Sequence, residues 1–190
     1  MAGDNPYQAF VNFRDPLQKA ISCVSKEAHV WALLGTNGYR PGEDHTLVPK
    51  TGDPVRLRGQ NELDLVSQIW YRVNAAEGDR GPWKVETLAY SHGLETTDAQ
   101  EVIAYQWHPG QGSRITYPHM HLGSGIGADL GILEKVHIPT GRVALEDVLR
   151  FAITELGVEP QRDDWEETLT GTQDKFEEWR TWHGSGPASP

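Results

Sequence analysis

The sequence predicts an α+β fold: N-terminal helices, an antiparallel β-sheet of about five strands, and a C-terminal helix packed on the sheet, followed by short acidic terminal helices. Three observations predict it. Apolar residues recur at helical steps near the N-terminus, alternate with a period of two from residue 63 onward, and return to helical steps over residues 145–156. The gaps between the alternating runs are short, which favours antiparallel neighbours because parallel strands require long crossovers.

The N-terminal segment, residues 6–34, carries a helical stripe that includes Phe10, Phe13 and Leu17. We expect Pro16 to divide this segment into two helices, because a proline disfavours helical backbone at the residue before it. Residues 35–59 are rich in turn-forming residues, and they should form a surface loop.

Five runs carry strand signals, the clearest being the first, in which Leu63, Leu65 and Ile69 share one face. The five runs cover residues 63–74, 83–95, 100–109, 117–122 and 133–139. The strongest helix follows over residues 145–156 and should end at Gly157. Beyond it, two short acidic helices separated by Gly171 are expected, with Thr172 as the N-cap of the second.

The domain organisation follows from these elements. Residues 1–60 are a helical segment and loop, residues 61–160 the α+β core, residues 161–183 an acidic helical appendage, and residues 184–190 a disordered tail.

Composition narrows the classes of function. The formal net charge of −10 and the pI near 5.2 argue against a broad DNA-binding surface. Cys23 is the single cysteine, so neither an intrachain disulfide nor a cysteine-based zinc site is expected. The sequence contains no long apolar run and no secretory pattern, which predicts a cytoplasmic protein without membrane contact. The glycine-rich stretch at 123–131 matches no dinucleotide or phosphate-loop motif, so it predicts a flexible hairpin or lid and no cofactor-binding residues.

Histidines carry the main chemical signal. Five of the eight lie between positions 92 and 137, each in or beside a predicted strand. They are His92, His108, His119, His121 and His137. In an extended chain His119 and His121 point to the same side, so neighbouring strands could bring several imidazoles together on one face of the sheet.

Metal binding is one interpretation of this pattern. His119, His121 and His137 would supply three nitrogen ligands to a divalent metal and leave one position open for water. The competing interpretation is an ordinary polar sheet edge, on which the two histidines are half exposed and hydrogen-bonded to backbone or water.

Metal-free cleavage of a phosphodiester is the other chemical interpretation, with one imidazole accepting a proton and a second donating one. Arg142 would be the catalytic cation, and Lys135 would share a strand face with His137. The loop 140–142 precedes the strongest helix, where backbone amides can bind an anion. The alternative is a simple strand-to-helix turn with Arg142 solvated.

The order "VIAYQWHP", "YPHMHLG" and "VHIPTGRVALEDVLRFAITELG" resembles the TumE-type toxins of bacterial toxin–antitoxin pairs over roughly residues 100–156. The resemblance implies a small growth-inhibiting α+β protein that acts on RNA and is neutralised by an antitoxin partner, with His119 and His121 as the residues that carry over. A non-catalytic module that binds a protein partner stays an alternative, because residues 155–178 are strongly acidic.

Overall fold

A computed structural model of the chain describes residues 1–33, 38–49, 54–77, 81–110, 112, 115–127 and 136–179. Within these ranges the fold is α+β, as predicted. The three helices are α1 (Pro6–Ile21), α2 (Leu145–Thr154) and α3 (Trp165–Trp179). The strands are β1 (Ala2–Gly3), β2 (Trp31–Ala32), β3 (Asp44–Val48), β4 (Val55–Leu57), β5 (Leu63–Ala75), β6 (Trp83–Thr96), β7 (Glu101–Trp107), β8 (His119–Leu122) and β9 (Ile138–Pro139).

All nine described strands belong to one antiparallel sheet in the order β2-β3-β5-β6-β7-β8-β9, with β1 paired to β6 and β4 to β5. The five predicted strands correspond to β5 through β9. Residues 133–135 of the fifth run lie outside the described residues. The four additional strands contain five residues or fewer, so each offers too little alternation for a periodic signal.

The expected surface loop at 35–59 is partly wrong, because it contains β3 and β4. Both strands extend the sheet along β5. In β3, Leu47 and Val48 are buried, and in β4 Val55 and Leu57 are buried on either side of the exposed Arg56.

The predicted break at Pro16 is also wrong, since α1 continues through it. The proline removes one backbone donor from the helix. Phe10 and Phe13, before it, and Leu17 and Ala20, after it, are all buried in the same hydrophobic core, and this packing holds the two halves of the helix in line.

The helices cover one face of the sheet. Along β5 the odd-numbered residues from Leu63 to Val73 are buried, whereas the even-numbered residues from Val66 to Asn74 are partly exposed. Phe10 and Phe13 of α1 contact the ring of Tyr71, with centroids 6.0 and 5.4 Å apart. The odd-numbered residues of β5 therefore define a helix-covered face, and the even-numbered residues define what we call the open face.

The C-terminal prediction of two helices is replaced by the single helix α3, which runs through Gly171. Thr172 is not an N-cap. Its hydroxyl is buried and lies 3.1 Å from the backbone carbonyl oxygens of both Thr168 and Leu169 in the same helix, which share its one hydrogen. Thr168, Leu169 and Thr172 form a buried stripe that outweighs the helix-weakening effect of the glycine.

None of the helices in the described residues is both long enough and apolar enough to cross a membrane.

Candidate functional site

Strand register places His119 and His121 on the open face. Ile69, on the helix-covered face of β5, lies opposite Tyr90 of β6, which lies opposite Trp107 of β7. Residues paired across antiparallel strands point to the same face, and successive residues point to opposite faces. Gln106 therefore points to the open face, and His119 lies directly opposite it on β8. His121 shares this orientation and lies opposite Ala104.

The pairing of β8 with β9 adds the third imidazole. Met120 lies opposite Ile138 and His119 opposite Pro139, so His137, just before β9, comes alongside His121. The rings of His119 and His121 have centroids 4.9 Å apart, those of His119 and His137 are 4.9 Å apart, and those of His121 and His137 are 4.5 Å apart. One nitrogen from each ring lies within 4.8 Å of the other two. We call these three residues the His cluster.

A backbone hydrogen bond fixes the orientation of His119. Its Nδ1 lies 2.9 Å from the carbonyl oxygen of Tyr117, which can only accept, so Nδ1 carries the proton. Nε2 is then unprotonated in the neutral ring and can bind a metal or accept a proton. A hydrogen bond of this kind to a backbone carbonyl is the usual support of a metal-binding histidine.

The surroundings of the cluster favour the neutral form of His121. His119 is 4% exposed, while His121 is partly exposed. The pKa of His121 is lowered by burial and, to a lesser extent, by repulsion from His119 and His137. Neutral imidazole is the form that coordinates a metal or acts as a base.

The backbone packs closely against β7 at Gly123, two residues after His121. The Gly123 backbone lies so near the Glu101 carbonyl that a Cβ atom at position 123 would collide with it. The Gly123 amide also donates to the Val102 carbonyl at 3.1 Å. The glycine after "HMHL" therefore has a structural role, because it lets the chain turn closely against β7.

His108 also lies near the cluster. Its ring contacts Trp70 of the open face at a centroid distance of 5.1 Å. Its pKa is lowered by burial and then by repulsion from His119. Its Nδ1 is buried without a hydrogen-bond partner in the described part of the chain. The sequence signalled this histidine, but its proximity to His119 could be seen only once the strand pairing was known.

His92 lies on the helix-covered face and is separate from the cluster. Its Nδ1 is 2.8 Å from the Ser67 hydroxyl, its ring stacks on Tyr90 at 5.1 Å, and burial lowers its pKa to about 3. His92 is therefore a neutral residue of the core.

Arg142 also lies on the helix-covered side. Its guanidinium carbon is 3.6 Å from the ring centroid of Trp107, the residue after Gln106, and it therefore lies on the opposite side of the sheet from His119. The structure thus brings together His119, His121 and His137 of the predicted site but not Arg142. Lys135 lies outside the described residues, as do residues 128–131 of the predicted lid.

The loop before α2 uses two of its amides internally. The Val143 amide donates to the Tyr90 hydroxyl at 3.0 Å, and the Ala144 amide donates to the Asp147 carboxylate at 2.9 Å. These amides are not free to bind the anion that the sequence suggested.

Comparisons with protein-family models, with curated proteins and with solved structures found no match to this chain.

Proposed function

We propose that the protein is a metalloenzyme whose His cluster holds one divalent transition-metal ion and leaves a coordination position open for water or substrate. The observation that carries the proposal is the approach of one nitrogen from each of His119, His121 and His137 to within 4.8 Å of the others. An ordinary polar sheet edge would not require two imidazoles of β8 and one from the residue before β9 to converge.

The donor set suits zinc and its neighbours. Imidazole is a good ligand for zinc, copper, iron and nickel, whereas magnesium and calcium prefer oxygen ligands. In a tetrahedral zinc site, bond lengths near 2.0 Å place the ligand nitrogens about 3.3 Å apart. The nitrogens of the His cluster lie within 4.8 Å of one another, so each pair needs to approach by no more than about 1.5 Å. His121 is partly exposed, so an ion can reach the site from solvent.

Three protein ligands are typical of a catalytic rather than a structural zinc site. An ion held there would lower the pKa of a bound water and supply a nucleophile near neutral pH. The substrate class that fits is a hydrolysable ester or phosphoester. His108, whose pKa is lowered partly by repulsion from His119, is the imidazole that we assign to exchange a proton with the attacking water or with the leaving group.

Metal content tests the proposal directly. The protein is purified without a histidine tag, its metal content is measured by inductively coupled plasma mass spectrometry, and zinc binding is measured by calorimetry. One ion per chain is expected. The variants His119→Ala, His121→Ala and His137→Ala should each lose it, because two imidazoles bind far more weakly than three.

His29→Ala is the matched control, because His29 is an exposed histidine in the loop after α1 and lies outside the cluster. It should keep full metal content. Equal metal loss in the control, or no zinc binding in the unsubstituted protein, would rule the centre out.

Metal-free cleavage of a phosphodiester, with RNA as substrate, is the second candidate. It is favoured by the direct contact between the rings of His121 and His137, which could serve as proton acceptor and donor. A toxin-like role neutralised by a protein partner belongs to this candidate. Two results together would favour metal-free cleavage over the metal centre. RNA cleavage and growth inhibition should persist in strong chelator, and both should disappear in a folded His119→Ala/His121→Ala double variant.

A further inference from the structure

Within the described residues, His137 is the member of the His cluster that the sheet supports least. His119 and His121 belong to β8, which is paired with β7 on one side and with β9 on the other. His137 directly precedes β9, a two-residue strand at the end of the sheet. One of its two residues is Pro139, which has no backbone N–H to donate to β8. The pairing of β9 alone is therefore a weak hold on His137.

The chain beyond β9 passes from the open face to the helix-covered face. The Thr140 amide donates to the Pro118 carbonyl at 2.9 Å, which continues the pairing of β9 with β8. Two residues later, the Arg142 guanidinium lies over the Trp107 ring, 3.6 Å from its centroid and on the opposite side of the sheet from the cluster. His137 and Arg142 are five positions apart in the sequence, so the chain between them goes round the edge of the sheet.

Two contacts attach this chain to the helix-covered face. The Arg142 guanidinium lies on the Trp107 ring, and the amide of the next residue, Val143, donates to the Tyr90 hydroxyl at 3.0 Å. Trp107 and Tyr90 are paired across β7 and β6, with ring centroids 6.2 Å apart, and Tyr90 is buried. Each contact opposes movement of the chain away from the sheet. We call these four residues the edge clamp.

The edge clamp is attached close to the His cluster, but from behind it. Trp107 follows Gln106 in β7, and Gln106 lies opposite His119. Successive residues of a strand point to opposite faces, so the clamp is attached next to the residue that faces His119, on the other side of the sheet. Movement of residues 138–143 away from β7 would carry His137 away from His119.

We propose that the edge clamp positions the third metal ligand: the contact of Arg142 with Trp107 keeps His137 within coordinating reach of His119 and His121. Arg142 is a positioning residue, and it acts on the ion only through His137. If His137 is in place in only a fraction of the molecules, the apparent metal affinity falls by that fraction. The effect on metal binding rests on the proposed metal centre, whereas the hold of the clamp on β9 does not.

Hydrogen exchange in the metal-free protein, followed by NMR, tests the clamp itself. The Thr140 amide reports on β9, because it is bonded to the Pro118 carbonyl. Arg142 is partly exposed, so Arg142→Ala should fold. In this variant the Thr140 amide should exchange about fivefold faster or more, as expected for the loss of one cation–π contact.

Arg150→Ala is the matched control for exchange. Arg150 lies in α2, and its guanidinium contacts Thr170 and Gln173 of α3 rather than the chain after β9. The control should leave exchange of the Thr140 amide unchanged. An unchanged rate in Arg142→Ala, or equal acceleration in Arg150→Ala, would overturn the proposal whether or not the protein binds a metal.

Zinc affinity, measured by calorimetry, tests the link to the metal centre. Arg142→Ala should weaken zinc binding about tenfold, as is typical when a residue that orients a metal ligand is lost. Removing a positive charge would by itself favour a cation, so the expected change is opposite to the electrostatic one. Leu149→Ala, which truncates a fully buried side chain of α2, should keep the zinc affinity of the folded protein, because it leaves the clamp intact.

The outcomes separate this inference from the proposed function. Zinc binding that is equally tight in Arg142→Ala and in the unsubstituted protein would overturn the inference and leave the metal centre standing. Equal weakening in Leu149→Ala would overturn it too, because Arg142 would then act only through the stability of the fold. Absence of zinc binding in the unsubstituted protein would overturn the metal centre and, with it, the role of the clamp in metal binding.

Discussion

The buried carboxyl of Glu146 should destabilise the fold as the pH rises. Its pKa is raised from 4.5 to about 7, mainly by burial. The native state therefore holds this proton more tightly than the unfolded state does. Its contribution to stability is present below pH 4.5 and is progressively lost as the pH rises towards and through 7.

The size of the effect follows from the shift. At about 1.36 kcal/mol per pKa unit, a rise from 4.5 to about 7 corresponds to a penalty of about 3 kcal/mol once the carboxyl is ionised in the native state. Glu146→Gln removes the ionisation and keeps the shape and hydrogen-bonding capacity of the side chain. The variant should therefore gain about 3 kcal/mol over the unsubstituted protein at pH 8 and almost none at pH 4.

Urea unfolding of both proteins at pH 4, 5, 6, 7 and 8, followed by tryptophan fluorescence, measures this difference. Other ionisable groups affect both proteins alike, so they cancel when the two free energies of unfolding are subtracted. A difference that stays constant from pH 4 to pH 8, or one that falls as the pH rises, would refute the reasoning.

Three further predictions concern the metal, the core and a turn. Zinc at 100 times its dissociation constant should raise the free energy of unfolding by about 2.7 kcal/mol, measured by thermal unfolding, and His121→Ala should abolish this stabilisation. Equal stabilisation of the unsubstituted protein and the variant would place the ion elsewhere. Leu149→Ala should cost about 2–5 kcal/mol in urea unfolding, because Leu149 is fully buried in α2, and a loss below about 1 kcal/mol would mean that the core is less tightly packed there. Gly157→Ala should lower the free energy of unfolding by about 1 kcal/mol in the same measurement, because the φ of +69° at this position strains any residue with a Cβ. Gly171→Ala should instead stabilise the protein, because Gly171 lies within α3 and alanine favours the helix.

Long periodic elements could be predicted from the sequence, whereas short ones could not. The alternation in β5 continues for 13 residues and gave both the strand and its buried face. β3 has five residues in a glycine-rich region, and it is a strand because β5 offers an unpaired edge. Pro16 and Gly171 were interpreted from local propensity, but burial of the helix faces around them determined the result.

Only part of the candidate site could be predicted from the sequence. Spacing alone places His119 and His121 on one face, because side chains alternate along a strand. The approach of His137 depends on the pairing of β8 with β9, and the separation of Arg142 depends on which face of the sheet Trp107 occupies. Both are consequences of tertiary pairing. The expectations about RNA and an antitoxin concern partners, and they stay predictions.

The register between β7 and β8 makes the two sides of the sheet interdependent. Met120 lies between the two histidines of β8 and belongs to the apolar side, opposite Tyr105. Sliding β8 by a single residue would put both imidazoles among the core side chains and turn Met120 towards water. Insertions or deletions inside "HMH" should therefore abolish folding and chemistry together, whereas changes of length in the connection before Tyr117 leave the pairing intact.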